Sequence, residues 1–156
     1  MVTSKRTTEY LRGLLHKNDA LEIKGITGRD AAFPMLPAES MQLLRLLVAK
    51  AQPEKILEVG TNIGASGIIM LKSAPQAKLY TIEMDPDTAR QAKENMKQNG
   101  VHDRATVYIG MAEEILPYMT GEYDFIFLDG PKGQYSKLCE YLIPLLAVGG
   151  TLVCDN

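Results

Sequence analysis

The sequence predicts an α/β domain, doubly wound around a parallel sheet. Three observations predict it. From Lys55 onward, short apolar runs alternate with segments of helical period. Successive runs close on a glycine or an acid: Val59-Gly60, Ile82-Glu83, Ile109-Gly110 and Leu128-Asp129. The run Tyr123 to Leu128 is apolar on both sides of the alternation except at Asp124, as a strand covered on both faces must be.

The elements follow in order. Thr7 to Lys17 is expected as a short amphipathic helix carrying Leu11, Leu14 and Leu15, weakened by Gly13. Lys24 to Pro37 holds Gly25, Gly28, Pro34 and Pro37 and is expected as a loop. Glu39 to Ala51 places Met41, Leu44, Leu47 and Val48 at helical spacing. Lys55 to Gly60 is the first strand, Gly64 to Ser73 a helix, and Leu79 to Glu83 the second strand. Asp85 suits an N-cap, Pro86 a first helical residue and Asn99-Gly100 a stop, with Ala89, Ala92 and Met96 on the buried face. Ala105 to Gly110 is the third strand, and Ala112 to Met119 a short helix. After the fourth strand, Tyr135, Leu138, Leu142 and Leu145 share a helix face, bent or ended near Pro144. Gly149-Gly150 is expected as a turn into a fifth strand, Thr151 to Cys154. Residues 1–38 are thus expected as an N-terminal helix and substrate-side loop, and residues 39–156 as one core.

Composition narrows the class. The chain has 156 residues, 46% hydrophobic and 23% charged, with a net charge of −2, which fits one globular domain. A weakly negative chain does not attract nucleic acid by bulk charge. Lys5, Arg6, Arg12 and Lys17 are candidate tRNA contacts, and equally a solvated helix face. Cys139 and Cys154, the two cysteines, supply neither a disulfide framework nor a four-cysteine zinc site. His16 and His102 leave little room for a histidine-rich metal site or a Ser-His-Asp triad. The residues after Met1 lead into no signal-peptide core, and no apolar run approaches the roughly 18 residues of a membrane span. A soluble, cytoplasmic protein is expected.

In a doubly wound sheet, ligands sit beyond the carboxyl ends of the strands, where strand order reverses. After the first strand comes Glu58-Val59-Gly60-Thr61-Asn62-Ile63-Gly64-Ala65-Ser66. Its glycines let backbone approach a ligand, and the next helix offers free N–H groups. The Gly-x3-Gly spacing differs from the Gly-x-Gly-x2-Gly of dinucleotide enzymes, which disfavours an NAD-dependent dehydrogenase. Glu83 ends the second strand, where an acid can hold both hydroxyls of a ribose. Taken singly, the glycines also fit a plain turn and Glu83 a solvated carboxylate; together they indicate a nucleoside without specifying it. Gly110-Met111-Ala112 opens a helix where an adenine could meet backbone N–H groups, although alone it reads as a turn. In the expected order 3-2-1-4-5, strands four and five are neighbours, so Asp129 and Asp155-Asn156 converge. Two carboxylates and an amide oxygen, without His or Cys, suit a hard cation such as Mg²⁺ or Ca²⁺. Lys132 lies within reach of a group bound there. A lysine among cations and partly dry accepts a proton near neutral pH, although alone Lys132 reads as a surface residue.

Four segments carry a resemblance: Leu57-Glu58-Val59-Gly60-Thr61 with Gly64 and Ser66; Tyr80-Thr81-Ile82-Glu83; Phe125 to Asp129 with Lys132; and Gly149 to Asn156. In this order, from about Met35 to Asn156, the chain resembles the cation-dependent O-methyltransferases, the group of catechol and caffeoyl-CoA O-methyltransferases and their bacterial relatives. The resemblance implies S-adenosylmethionine as methyl donor. It implies a donor site of Glu58, Gly60, Thr61 and Ser66, with Glu83 at the ribose and Gly110, Met111 and Ala112 at the adenine. Met35 corresponds to a residue that closes over the donor. Asp129, Asp155 and Asn156 are implied as ligands of Mg²⁺ or another divalent cation. Lys132 is implied as proton acceptor, with Asp129 shared by the catalytic, donor and cation sites.

Lys132-Gly133-Gln134-Tyr135 is similar to the bacterial tRNA 5-hydroxyuridine O-methyltransferases, which modify the wobble position. The acceptor implied is that hydroxyl or a small catechol or phenol. Met111 departs from the aspartate of many methyltransferases, and Gly130-Pro131 stiffens the segment before Lys132. The family pattern continues beyond the position of Asn156 into a helix and two strands. The expectation is therefore a Rossmann-like fold without its last two strands, its fifth strand an apolar edge, and a homodimer. A fragment that binds S-adenosylmethionine without a complete acceptor pocket is the alternative.

Overall fold

The computed structural model describes residues 23–26 and 36–155. Met35, Asn156 and the expected helix over Thr7 to Lys17 with its basic residues lie outside the described residues, as does most of the expected loop.

Among the described residues ten α-helices and strands run in order: α1 (Ala38–Ala51), β1 (Lys55–Val59), α2 (Ala65–Ser73), β2 (Lys78–Glu83), α3 (Pro86–Gln98), β3 (Ala105–Ile109), α4 (Ala112–Ile115), β4 (Tyr123–Leu128), α5 (Tyr135–Leu145) and β5 (Leu146–Cys154). All strand pairs are parallel, in the order β3-β2-β1-β4-β5. The reversal of direction falls between β1 and β4, which makes their carboxyl ends the expected ligand crevice.

Strand alternation divides the core into two layers. Ile56, Leu79, Phe125 and Phe127 face one way, against Leu44 and Val48 of α1, Ile68 and Leu71 of α2 and Met96 of α3. Leu57, Val59, Ile82, Ile126 and Leu128 face the other way, against Leu116 and against Leu138, Leu142 and Leu145 of α5. These side chains lie almost entirely out of water, and each stabilises the fold by about 1.5–3 kcal/mol. No helix among the described residues is long and apolar enough to cross a membrane.

Local chemistry sets the boundaries. Asp85 caps α3 by accepting from the Thr88 N–H at 2.7 Å, with Pro86 in the first turn. α2 starts after Gly64, which takes φ 87°. At the other end of the sheet, Asp124 of β4 accepts from the N–H groups of Glu54 and Lys55 at 2.9 and 2.8 Å, anchoring the start of β1.

Two expectations are corrected. The segment Ala112 to Met119 is not one helix. α4 spans four residues and passes into a 3-10 turn over Leu116–Tyr118, because Pro117 lacks the N–H needed to continue an α-helix. The fifth strand begins at Leu146, not Thr151. Gly149-Gly150 lies inside it, within a bulge: Leu146 pairs with Tyr123 and Thr151 with Phe125. Gly149 reaches φ 83° there, a conformation that favours glycine. Among the described residues β5 pairs only with β4 and forms an edge.

Candidate functional site

The carboxyl ends of the strands open into a cleft of about 540 Å³. Gly60, Glu83, Gly110, Met111, Ala112, Asp129 and Asp155 all line it, so residues from all five strand ends converge on one space.

On the β1–β2 side, the chain turns sharply after Val59. Gly60 takes φ 99°, and a Cβ there would lie 2.0 Å from the main-chain oxygen of Asp129. Position 60 therefore accepts only glycine, and the turn packs directly onto the end of β4. Asn62 continues it at φ 49°, in the left-handed region that asparagine tolerates. Its N–H donates to Glu83 Oε2 at 2.8 Å, and the Asp85 N–H donates to Glu83 Oε1 at 3.0 Å. Both carboxylate oxygens of Glu83 are thus fixed by main chain, and each retains a lone pair for a ligand hydroxyl.

Beneath the turn lies a dry polar network. Ser66 Oγ donates to Glu58 Oε1 at 2.5 Å, and Thr81 Oγ1 donates to Glu58 Oε2 at 2.7 Å. Thr61 Oγ1 lies 2.5 Å from Thr81 Oγ1. Because the Thr81 proton points to Glu58, Thr61 is the donor of that contact. Burial pushes the Glu58 carboxyl up from 4.5 to about 7, against the two hydroxyl donors that pull it down. Glu58 is fully buried and lines no part of the cleft. Alternation explains this: Glu58 shares the Ile56 face of β1, which packs against α2. Thr61 and Ser66 line a small recess beside Gly60, next to the main cleft. The structure thus places Glu58 under the turn, as a support for Thr81 and Ser66.

Met111 is the N-cap of α4, and its side chain is 45% exposed. Gly110 takes φ 148° and its N–H donates to the Glu83 carbonyl at 2.9 Å, which joins the third strand end to the second.

On the β4–β5 side, Asp129 and Asp155 stand one step past the Leu128–Cys154 pair. Burial and the neighbouring Asp155 charge both raise the Asp129 carboxyl, while the Lys132 ammonium lowers it. Asp129 and Asp155 provide oxygen donors at adjacent strand ends, the donor type that hard cations take. Among the described residues no cluster of three His, Cys, Asp or Glu surrounds a common point, so this pair alone forms the cation candidate. Lys132 opens a 3-10 turn over Lys132–Gln134 and is exposed, outside the cleft lining. Pro131 and Gly133 are exposed with it.

Among the cleft residues that sequence reasoning did not assign to the site are Asn62, Met84, Glu113 and Gln134. Asn62 had a signal, an asparagine inside a glycine turn. Gln134 had one too, its place in the Lys132-Gly133-Gln134-Tyr135 string, whereas Met84, one step past β2, and Glu113, inside α4, had none.

Comparison with known proteins agrees with this geometry. The catechol O-methyltransferase of Niastella koreensis is 32% identical over 155 residues, covering 94% of this chain and 70% of the relative. A cofactor-bound structure from Mycobacterium tuberculosis is 33% identical with a TM-score of 0.76, covering 80% of this chain and 59% of that one. The O-methyltransferase TomG of Streptomyces achromogenes, involved in tomaymycin synthesis and solved in complex with SAM, is 25% identical with a TM-score of 0.74. It is covered over 67% of its length by the whole of this chain. The chain thus spans between about six and seven tenths of the length of these proteins. The family model described as O-methyltransferase matches residues 16–156, and this match establishes that the chain belongs to the O-methyltransferase family.

Proposed function

We propose that the chain binds S-adenosylmethionine between Gly60, Glu83 and Ala112, and transfers its methyl group to an acidic hydroxyl seated beside Asp129 and Asp155. One observation carries this reading: a single cleft joins a glycine turn and a main-chain-fixed acid to a pair of converging carboxylates. The first two features suit a nucleoside; the third suits a cation-bound hydroxyl. The family membership and the SAM complex of TomG support the donor.

Glu83 offers its oxygens to the ribose hydroxyls. The main chain at Gly110 to Ala112 faces the adenine. Asp129 and Asp155, with Asn156 as the third expected ligand, would hold a divalent cation, and that cation would supply Lewis-acid chemistry, lowering the pKa of the acceptor hydroxyl. The remaining task is alignment of oxygen, methyl carbon and sulfur, which the rigid Gly60–Asp129 contact serves. Lys132 takes the hydroxyl proton. A lysine accepts a proton only once water is excluded from it, so this role requires the seated acceptor to cover the Lys132–Gln134 turn. Met35 is assigned to the donor site on the family resemblance alone.

The Lys132 to Tyr135 string supports a tRNA 5-hydroxyuridine acceptor, whereas the catechol O-methyltransferases among the relatives support a small catechol. Transfer of labelled methyl from S-adenosylmethionine to hypomodified bacterial tRNA and to catechol, each with Mg²⁺ and with EDTA, separates the two. EDTA-sensitive labelling of one acceptor identifies it. Asp129→Ala is expected to abolish labelling while S-adenosylhomocysteine still binds. Unchanged labelling in that variant would remove the cation from the mechanism, and failure of the unmodified chain to bind S-adenosylhomocysteine would overturn the whole reading.

A further inference from the structure

Tyr135, the first residue of α5, occupies an unusual place among the strand ends. Its hydroxyl donates to the main-chain oxygen of Asp155 at 2.7 Å and lies 3.3 Å from that of Leu128. One phenol proton serves both contacts, the shorter being the stronger. The Leu128 oxygen also receives the Asp155 N–H, at 3.0 Å. One hydroxyl therefore ties the residue before Asp129 to the backbone of Asp155.

The tie matters because of what it joins. Asp129 and Asp155 carry like charge at the ends of neighbouring strands, and β5 is an edge strand among the described residues. Strand ends of this kind fray unless held, and Coulomb repulsion drives these two apart. An oxygen-ligated cation requires its donors within a few tenths of an ångström of their working positions. The ring of Tyr135 packs on the α5 face of the core, so phenylalanine preserves the packing and deletes only the bridging oxygen.

We infer that Tyr135 is a positioning residue whose hydroxyl holds the Asp129 and Asp155 segments at the separation that binds a divalent cation. The inference rests on reading that carboxylate pair as cation ligands. It assigns Tyr135 no contact with donor or acceptor.

Tyr135→Phe in the full chain tests it with three readouts. Amide hydrogen exchange at Asp155, measured without cation, reads the tie directly. Mn²⁺ titration followed by electron paramagnetic resonance reads its consequence. S-adenosylhomocysteine titration reads the other half of the cleft. The expected result is faster exchange at Asp155 and Mn²⁺ affinity lower by about fivefold to tenfold, the worth of one hydrogen bond. S-adenosylhomocysteine affinity should stay within about twofold. Unchanged exchange, or unchanged Mn²⁺ affinity, would overturn the role. An equal fall in both affinities would reduce Tyr135 to a general structural residue and overturn it as well. Absence of Mn²⁺ binding in the unsubstituted chain would instead refute the cation reading on which the role depends.

Discussion

The two halves of the cleft are built by opposite means. Under the β1–β2 half lies a sealed network in which Glu58, Ser66, Thr81 and Thr61 satisfy one another out of water. The β4–β5 half has no such support. Its two carboxylates face a cleft, its lysine is exposed, and main-chain groups with one phenol hold its strands level. The difference teaches where each half draws its order. The first is preorganised by buried side chains and is ready for a neutral or weakly charged ligand. The second carries two like charges with the exposed Lys132 beside them, and on the proposed reading it is the half that a cation would complete.

The strongest test strikes where the halves touch. Gly60→Ala places a methyl group against the Asp129 carbonyl at a φ that disfavours any side chain. It should cost more than about 3 kcal/mol and disturb both halves together. Thermal denaturation measures the cost, and a shift within about 1 °C would show the turn to be pliable.

A second test isolates the sealed half. The Glu58 carboxyl, raised to about 7, binds its proton more tightly when folded than at its ordinary 4.5. Its contribution to stability is therefore fully present below about pH 4.5 and is lost as pH rises through 7. The loss is about 3 kcal/mol in order of magnitude. Glu58→Gln keeps a shape that can accept from one hydroxyl and donate to the other, and should flatten this part of the profile. Urea unfolding across that range checks it. A profile of equal slope in both proteins would place the titrating group elsewhere.

A crossed pair of variants sharpens the contrast. Glu83→Ala should weaken S-adenosylhomocysteine binding by about tenfold or more, roughly 1.5–2 kcal/mol for lost charged hydrogen bonds, and leave Mn²⁺ binding alone. Asp155→Asn should do the reverse. Titration calorimetry of both ligands against both variants reads the pattern, and loss of both ligands in either variant would erase the division into halves.

The smallest effect is expected far from the cleft. Asp124→Ala removes two hydrogen bonds to the start of β1 and should cost about 1–2 kcal/mol of stability, with both affinities unchanged at saturating fold. A change in either affinity would mean that the two ends of the sheet communicate.

The sequence showed the alternation, the strand order and the residues at the strand ends, because period-two runs and glycine stops are local signals. It misplaced what depends on side-chain direction. Glu58 belongs to the glycine motif by position, yet the pleat turns it inward toward α2. Lys132 is close to Asp129 along the chain, yet the turn after Pro131 leaves it in solvent. Tyr135 reads as one more apolar helix position, and nothing in its spacing reveals that its hydroxyl meets a carbonyl 20 residues away. The bulge at Gly149-Gly150 was hidden for a related reason. Two glycines mark a break in either setting, and only pairing with β4 shows the strand running through it.

That bulge has a consequence for chain length. Five steps of β5, from Leu146 to Thr151, are laid against the two steps from Tyr123 to Phe125. The surplus acts as slack in a measuring tape, and what it measures is where Asp155 comes to rest beside Asp129. A residue deleted there and absorbed by the slack leaves the two acids abreast. The same deletion passed along the strand slides Asp155 by about 3.3 Å and turns its side chain to the opposite face. The spacing of the two acids is thus counted out in the bulge of β5 around Gly149-Gly150, several residues before the acids themselves.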